Sequence, residues 1–323
     1  MMEKKYQVYI TRLLSQEANE LLNEACDYEL YPDLDVISKQ ELIEKVKDRD
    51  ALICNYADKL DDEILRAAAP SCKIIANCAV GYDNIDIESA KKRGIYVTNT
   101  PGANHHAVAD MVWGLMFAVA RMIVDGDRFL RTGVYKGFTD MTYLGLDVSG
   151  KTLGILGAGR IGRVFAKKAK GFDMRLLYND IERDEDFERQ TAARYVTKET
   201  LLKESDFVSI HVPMLPSTRH LIGEKDFKMM KKSAILINTS RGPIVDEKAL
   251  IRALQQGQIW GAGLDVFEWE PEVSPELKQM PNVVLTSHMA TCTIETRYKT
   301  VQIAVENVLA TAKGQIPPNC VNL

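Results

Sequence analysis

The chain of 323 residues has no Cys-x-x-Cys pair, no excess of basic charge and nothing near the roughly 18 uninterrupted apolar residues of a membrane helix. Each absence removes a class of function. Six cysteines (Cys26, Cys54, Cys72, Cys78, Cys292 and Cys320) are dispersed, with no histidine at metal-ligand spacing. That pattern predicts no metal site and no disulfide framework, but reduced thiols that are mostly buried as small hydrophobes. Without a spanning run, and with polar residues from Met1 to Tyr6, the expectation is a cytoplasmic protein with no membrane partner. A net charge of -4, from 45 acidic against 41 basic side chains, leaves nothing to neutralise a nucleic-acid backbone, so no nucleic acid is expected.

What remains is 46% apolar and 27% charged residues, both signs mixed, which describes a globular protein. At roughly 150 residues per domain the length predicts two. Short apolar runs at Gln7–Ile10, Ala51–Cys54, Lys73–Ala76 and Ile95–Thr98 alternate with helical stretches such as Gln16–Ala25 and Lys39–Val46, as buried parallel strands and their crossovers do. This α/β unit closes at Asn99-Thr100-Pro101-Gly102. Ala103–Arg121 then reads as a long helix, apolar on more than one face, and is expected to be buried between domains or subunits. Residues 122–150 show little periodicity and scattered aromatics (Phe129, Tyr135, Phe138, Tyr143), the signature of an arm that a partner subunit covers; a homodimer is expected.

A second α/β series follows, with strands at Thr152–Leu156, Arg175–Tyr178, Phe207–Val212, Ala234–Asn238, Gly261–Asp265 and Val283–Thr286. Its alternation predicts a doubly wound sheet. The final stripe of Ile294, Tyr298, Val301, Val305, Val308, Leu309 and Ala312 is helical and is expected to return to the first domain.

Directly after the run Leu153–Leu156 comes Gly157-Ala158-Gly159-Arg160-Ile161-Gly162, and then a helical stretch. In that setting GxGxxG predicts a dinucleotide cradle: the first glycine permits the tight turn, the second admits the pyrophosphate, the third lets helix and strand pack. Asp180 ends the next strand at the offset where a carboxylate meets the adenosine ribose hydroxyls and repels a 2'-phosphate. NAD is therefore favoured over NADP, with Arg183 close enough to offset part of that repulsion.

Three polar residues stand at or just beyond predicted strand ends: Arg241, Glu270 and His288. Beside a nicotinamide, a carbonyl that takes up hydride needs a proton donor for the developing alkoxide, and an anionic substrate needs a cation. His288 is suited to the first task, Glu270 to fixing its tautomer, and Arg241 to a bidentate grip on a carboxylate. These segments, with Val80-Gly81-Tyr82-Asp83-Asn84-Ile85-Asp86, Thr100-Pro101-Gly102, His211-Val212-Pro213, Asn238–Val245 and Gly261–Pro271, resemble the D-isomer-specific 2-hydroxyacid dehydrogenases.

The resemblance is strongest to the glyoxylate and hydroxypyruvate reductase branch. It implies a Rossmann dinucleotide-binding domain inserted into a flavodoxin-like substrate domain, with residues 1–100 and 288–323 forming the latter and 101–287 the former, including a dimerisation arm at about 122–150. It implies the same catalytic roles for Arg241, Glu270 and His288, and a small 2-keto or D-2-hydroxy acid as partner. It further implies that Val80 and Gly81 give backbone donors to the substrate carboxylate, that Asp265 holds the nicotinamide carboxamide, that Pro213 and Thr218 lie near the adenosine, and that Thr239 lines the cofactor. Short-form 3-phosphoglycerate dehydrogenase and an NAD-sensing corepressor stay open as alternatives. Where the family usually has proline before the histidine and glycine after it, this chain has Ser287, Met289 and Ala290, which places substrate specificity in question more than catalysis. Asp110 stands where glutamate is common.

Overall fold

A computed structural model describes residues 5–12, 16–33, 35–137 and 143–323. Phe138 of the expected arm, and residues 1–4 of the polar N-terminus, lie outside them. In chain order the elements are β1 (Tyr6–Ile10), α1 (Gln16–Ala25), β2 (Cys26–Leu30), α2 (Lys39–Val46), β3 (Ala51–Cys54), α3 (Asp62–Ala68), β4 (Ile74–Asn77), α4 (Ile87–Lys92), β5 (Tyr96–Thr98), α5 (His105–Ala120) and α6 (Ile123–Arg131). There follow β6 (Thr152–Leu156), α7 (Arg160–Lys168), β7 (Arg175–Asn179), α8 (Glu185–Thr191), β8 (Arg194–Tyr195), α9 (Lys198–Glu204), β9 (Phe207–Ile210), α10 (Glu224–Phe227), β10 (Ile235–Asn238), α11 (Glu247–Gln255), β11 (Gly261–Leu264), α12 (Pro275–Gln279), β12 (Val283–Leu285) and α13 (Ile294–Ala312). They group into two compact units, one of Met1–Asn104 with Cys292–Leu323, the other of His105–Thr291.

In the first unit five parallel strands run in the order β2-β1-β3-β4-β5, the flavodoxin-like order. Strand pleating sends Tyr9, Leu52, Cys54 and Ile75 to one face, against Leu42, Val46, Ile64 and Leu65 of α2 and α3. Val8, Ile10, Ile53 and Ile74 point to the other, against Leu22 of α1 and Ala304, Val305 and Val308 of α13. Sequence patterning misses β2, because this edge strand alternates Asp27 and Glu29 with apolar residues and pairs only with β1. The α13 stripe is also shorter than its periodicity implies: Ile294 is 71% and Tyr298 49% exposed, and packing begins near Val301.

The second unit has seven parallel strands in the order β12-β11-β10-β9-β6-β7-β8. The order reverses between β6 and β9, the doubly wound arrangement with its ligand crevice at that switch. Helix α5 lies on β10 and β11, burying Ala109, Val112, Trp113, Leu115, Met116 and Val119 within the unit's own core. That corrects the expectation that its apolar faces are buried between domains or subunits. Asp110 on its polar side pairs with Lys168 of α7. The segment expected to lack periodic structure forms α6, entered through Met122 in the left-handed region (φ 52°). No α6 residue is buried, and Ile123, Leu130, Val134, Tyr135 and Leu144 are all more than half exposed. Among the described residues no single helix is long and apolar enough to cross a membrane; α5 and α6 reach that length only as a pair bent by 63°.

Candidate active site

Parallel strands present their carboxyl ends along one edge, so the loops after β12, β11, β10, β9, β6 and β7 stand side by side. In that order they carry His288, Asp265, Thr239 with Arg241, Pro213, Gly157 and Asp180. Four strand spacings of about 4.8 Å separate β11 from β7, a span of about 19 Å that suits an extended dinucleotide.

At the centre is the glycine loop. Gly157 takes φ +99°, and a Cβ there would lie 2.8 Å from the His211 carbonyl carbon; one on Gly162 would lie 2.2 Å from the Gly157 oxygen. Gly159 differs, since a Cβ there would meet nothing within 4 Å. The protein's own packing therefore requires the first and third glycines but not the second, whose missing side chain leaves open space in front of the N-terminus of α7. Gly159 caps that helix without a side-chain hydrogen bond, leaving the first amides, at Arg160 and Ile161, to face an anion. Asp180 Oδ2 accepts from the Ala158 amide at 2.7 Å and Oδ1 from the Ile181 amide at 2.7 Å, which fixes the carboxylate beside the loop. Arg183 is held in a bidentate pair with Glu188, at 3.0 and 2.8 Å, rather than turned to Asp180. Thr218 Oγ1 donates to the Pro213 carbonyl at 2.7 Å and accepts from the Leu215 amide at 2.8 Å, closing one turn. Thr239 is nearly buried with its hydroxyl unpartnered among the described residues. An open cradle, free helix amides, a carboxylate fixed beside them and a spare hydroxyl fit NAD.

At the β11–β12 end, His288 Nδ1 is 2.9 Å from Glu270 Oε2, and Glu270 Oε1 accepts from the Phe267 amide at 2.9 Å. Burial pushes the Glu270 carboxyl up, but the bond to His288 and its charge, the Phe267 amide and the Arg241 guanidinium together hold it below the ordinary carboxylate value. His288 sits in the left-handed region (φ 53°), which most residues avoid. The neighbouring chain supports that conformation through Asp265, which is fully buried: Oδ1 accepts from the Thr286 hydroxyl at 2.6 Å and the Met289 amide at 2.8 Å, Oδ2 from the Ala290 amide at 2.9 Å. Sequence reading missed Thr286, whose only signal was a hydroxyl two residues before the histidine. Burial drives the other histidine of this edge, His211, down to about 3, with Nε2 2.9 Å from Ser209 Oγ.

Val80 and Gly81 belong to the other unit, in the bend after β4. Their carbonyls accept from the Asn99 and Asn77 side chains at 2.8 and 2.9 Å, while neither amide meets an acceptor among the described residues. Cys292, exposed in the same unit, has Sγ 2.9 Å from Arg297 Nη2. Among the described residues no cluster of three or more potential ligands for a metal ion is present.

Comparison with known proteins shows the family and the fold. Residues 113–290 match the family described as D-isomer specific 2-hydroxyacid dehydrogenase, NAD binding domain. A glyoxylate reductase of Thermococcus litoralis is 50% identical over 98% of this chain and 97% of its own. A protein of Thermus thermophilus superposes with a TM-score of 0.92 at 39% identity, covering 98% of this chain and 99% of that one. An NADPH-dependent glyoxylate/hydroxypyruvate reductase of Sinorhizobium meliloti, solved with NADP and malonate, gives 0.85 at 30% identity over 98% and 97%. The chain belongs to the D-isomer specific 2-hydroxyacid dehydrogenase family.

Proposed function

We propose that this protein is a glyoxylate reductase that also accepts hydroxypyruvate, using NADH to convert the 2-keto acid to its D-2-hydroxy acid. The observation that carries the reading is the His288–Glu270 pair at 2.9 Å, with the Arg241 guanidinium acting on the same carboxylate, in a chain half identical to a glyoxylate reductase. The unit His105–Thr291 is the NAD-binding domain in this reading and the other unit the substrate domain.

Gly157, Gly159, Arg160, Ile161 and Gly162 hold the pyrophosphate, Asp180 the adenosine ribose, Pro213 and Thr218 border the adenosine, and Thr239 and Asp265 meet the nicotinamide end. Three bonds to Asp265 leave one lone pair of Oδ2 for a carboxamide N–H. When bound, the reduced nicotinamide supplies a hydride to the carbonyl carbon. Arg241 pairs the substrate carboxylate and polarises the carbonyl. His288 Nε2 gives its proton to the carbonyl oxygen as charge develops there. Glu270, kept ionised and accepting from Nδ1–H, orients the ring and stabilises the imidazolium, the form whose Nε2–H is given up. Turnover of glyoxylate and hydroxypyruvate with NADH tests the activity; consumption of neither would refute it.

The exposed apolar residues of α6 and the chain after it support a homodimer. A monomer mass on gel filtration would refute that state. The free, scattered cysteines support a cytoplasmic location.

A further inference from the structure

The turn that carries Glu270 is held from behind by two buried carboxylates that the proposed reaction does not use. Between β11 and α12 the chain forms no helix or extended strand, and its local bonds are few: Glu272 N to Trp269 O at 2.9 Å, and Phe267 N to Glu270 Oε1 at 2.9 Å. Apolar packing holds the two ends of the turn, through buried Val266 and Phe267 and partly buried Val273, while Trp269 next to Glu270 is 54% exposed. The anchors next to Glu270 are polar. The Glu268 side chain is 4% exposed and accepts from His220 Nε2 at 2.6 Å, Arg219 Nη2 at 3.1 Å and the Glu247 amide at 3.1 Å. Glu247, also buried, answers by accepting from the Glu268 amide at 2.9 Å and from the Ser274 hydroxyl. The two glutamates thus exchange backbone and side-chain bonds, and Glu247 grips the turn on both sides of Glu270. Directly beneath, a Cβ on Gly242 would lie 1.9 Å from the Phe267 carbonyl carbon, so the loop of Arg241 rests on the same turn.

A buried carboxylate is costly unless charged donors surround it, and a catalytic group needs placement to about 0.5 Å. We propose that Glu268 is a positioning residue: through His220, Arg219 and the head of α11 it holds the Glu270 carboxylate in reach of His288, and ties that turn to the loop of Pro213 and Thr218. The kinetic consequences rest on the reductase reading above; the structural consequence does not. The charged and titratable groups facing Glu268 are Arg219, His220 and Glu247, and those facing Glu270 are His288 and Arg241.

Glu268→Gln places an amide where three donors need an acceptor. In NAD-loaded protein the variant is expected to lose the downfield Nδ1–H proton resonance of His288, assigned by its absence in His288→Asn. Its kcat with glyoxylate falls about tenfold while KM changes less than about twofold, and the acid limb of kcat moves to higher pH as Glu270 loses its bond to His288. His220→Leu shows a smaller loss of kcat, which His220→Gln, keeping an N–H donor, largely restores. Should Glu268→Gln fail to fold, Ser274→Ala leaves both carboxylates in place and is expected to cost about threefold in kcat with the same shift of the acid limb. Retention of the parent kcat, acid limb and Nδ1–H resonance, with only a lower melting temperature, would overturn the proposal. A parent enzyme inert toward glyoxylate would sink the reductase reading alone, and the resonance would still decide the positioning role.

Discussion

Replacing Gly159 with alanine separates the protein's own packing from its hold on a cofactor. The backbone there is extended (φ -66°), a conformation open to alanine, and the new methyl meets no atom within 4 Å. Folding is therefore not penalised; losing a glycine from the unfolded chain stabilises by about 0.4–1 kcal/mol. Binding is another matter, because the methyl fills the space through which a diphosphate reaches the Arg160 and Ile161 amides. Two charge-assisted bonds at about 1.5–3 kcal/mol each give a loss of about 3–6 kcal/mol, a weakening of Kd by about a hundredfold or more. Gly162→Ala is the control, since its Cβ would lie 2.2 Å from the Gly157 oxygen and the strand-helix contact must open. Fluorescence titration with NADH and thermal melting read the two effects. Gly159→Ala that binds NADH within about threefold of the parent, or that melts as low as Gly162→Ala, would refute the reasoning.

Three further outcomes follow from the same edge of the sheet. Asp180→Ala is expected to raise KM for NADH at least about tenfold while KM for NADPH changes little or falls, because the lost carboxylate both binds a ribose hydroxyl and repels a 2'-phosphate; equal effects in steady-state kinetics would contradict the assignment. A Glu270 carboxyl held low stays ionised to more acidic pH, so the acid limb of the pH–rate profile should fall below the ordinary value of about 4.3, and His288→Asn, in whatever residual activity it keeps, should move that limb upward. His211, pushed down to about 3, is neutral in the folded protein, whereas the unfolded chain takes up that proton near about 6.5. Its contribution to stability is thus present above about 6.5 and lost progressively as the pH falls toward 3, a slope in denaturant midpoints that His211→Gln should flatten.

Much of the architecture could be read from the chain because its signals are local. Buried parallel strands are continuous apolar runs, and the glycine loop lies between such a strand and a helix, so β6, the cradle and α7 are visible together. Arg241 and His288 were visible as polar residues after such runs. The parts that were not visible depend on contacts distant in sequence. Asp265 reads in the sequence only as a cofactor ligand, and nothing local shows that its oxygens also clasp the His288 loop, 21 to 25 residues on. The exchange between Glu247 and Glu268, 21 residues apart, leaves no periodic trace. Strand β2 is hidden by its half-polar edge position. Asp110 acquires its meaning only from Lys168, 58 residues away.

The central claim is that His288, oriented by Glu270, gives the proton when a 2-keto acid is reduced. NADH consumption with glyoxylate, measured for the parent and for His288→Ala at equal cofactor saturation, tests it most directly. The account predicts turnover by the parent and a fall in kcat of about 100- to 10,000-fold in the variant, with NADH affinity unchanged. Near-parent turnover by His288→Ala would contradict it.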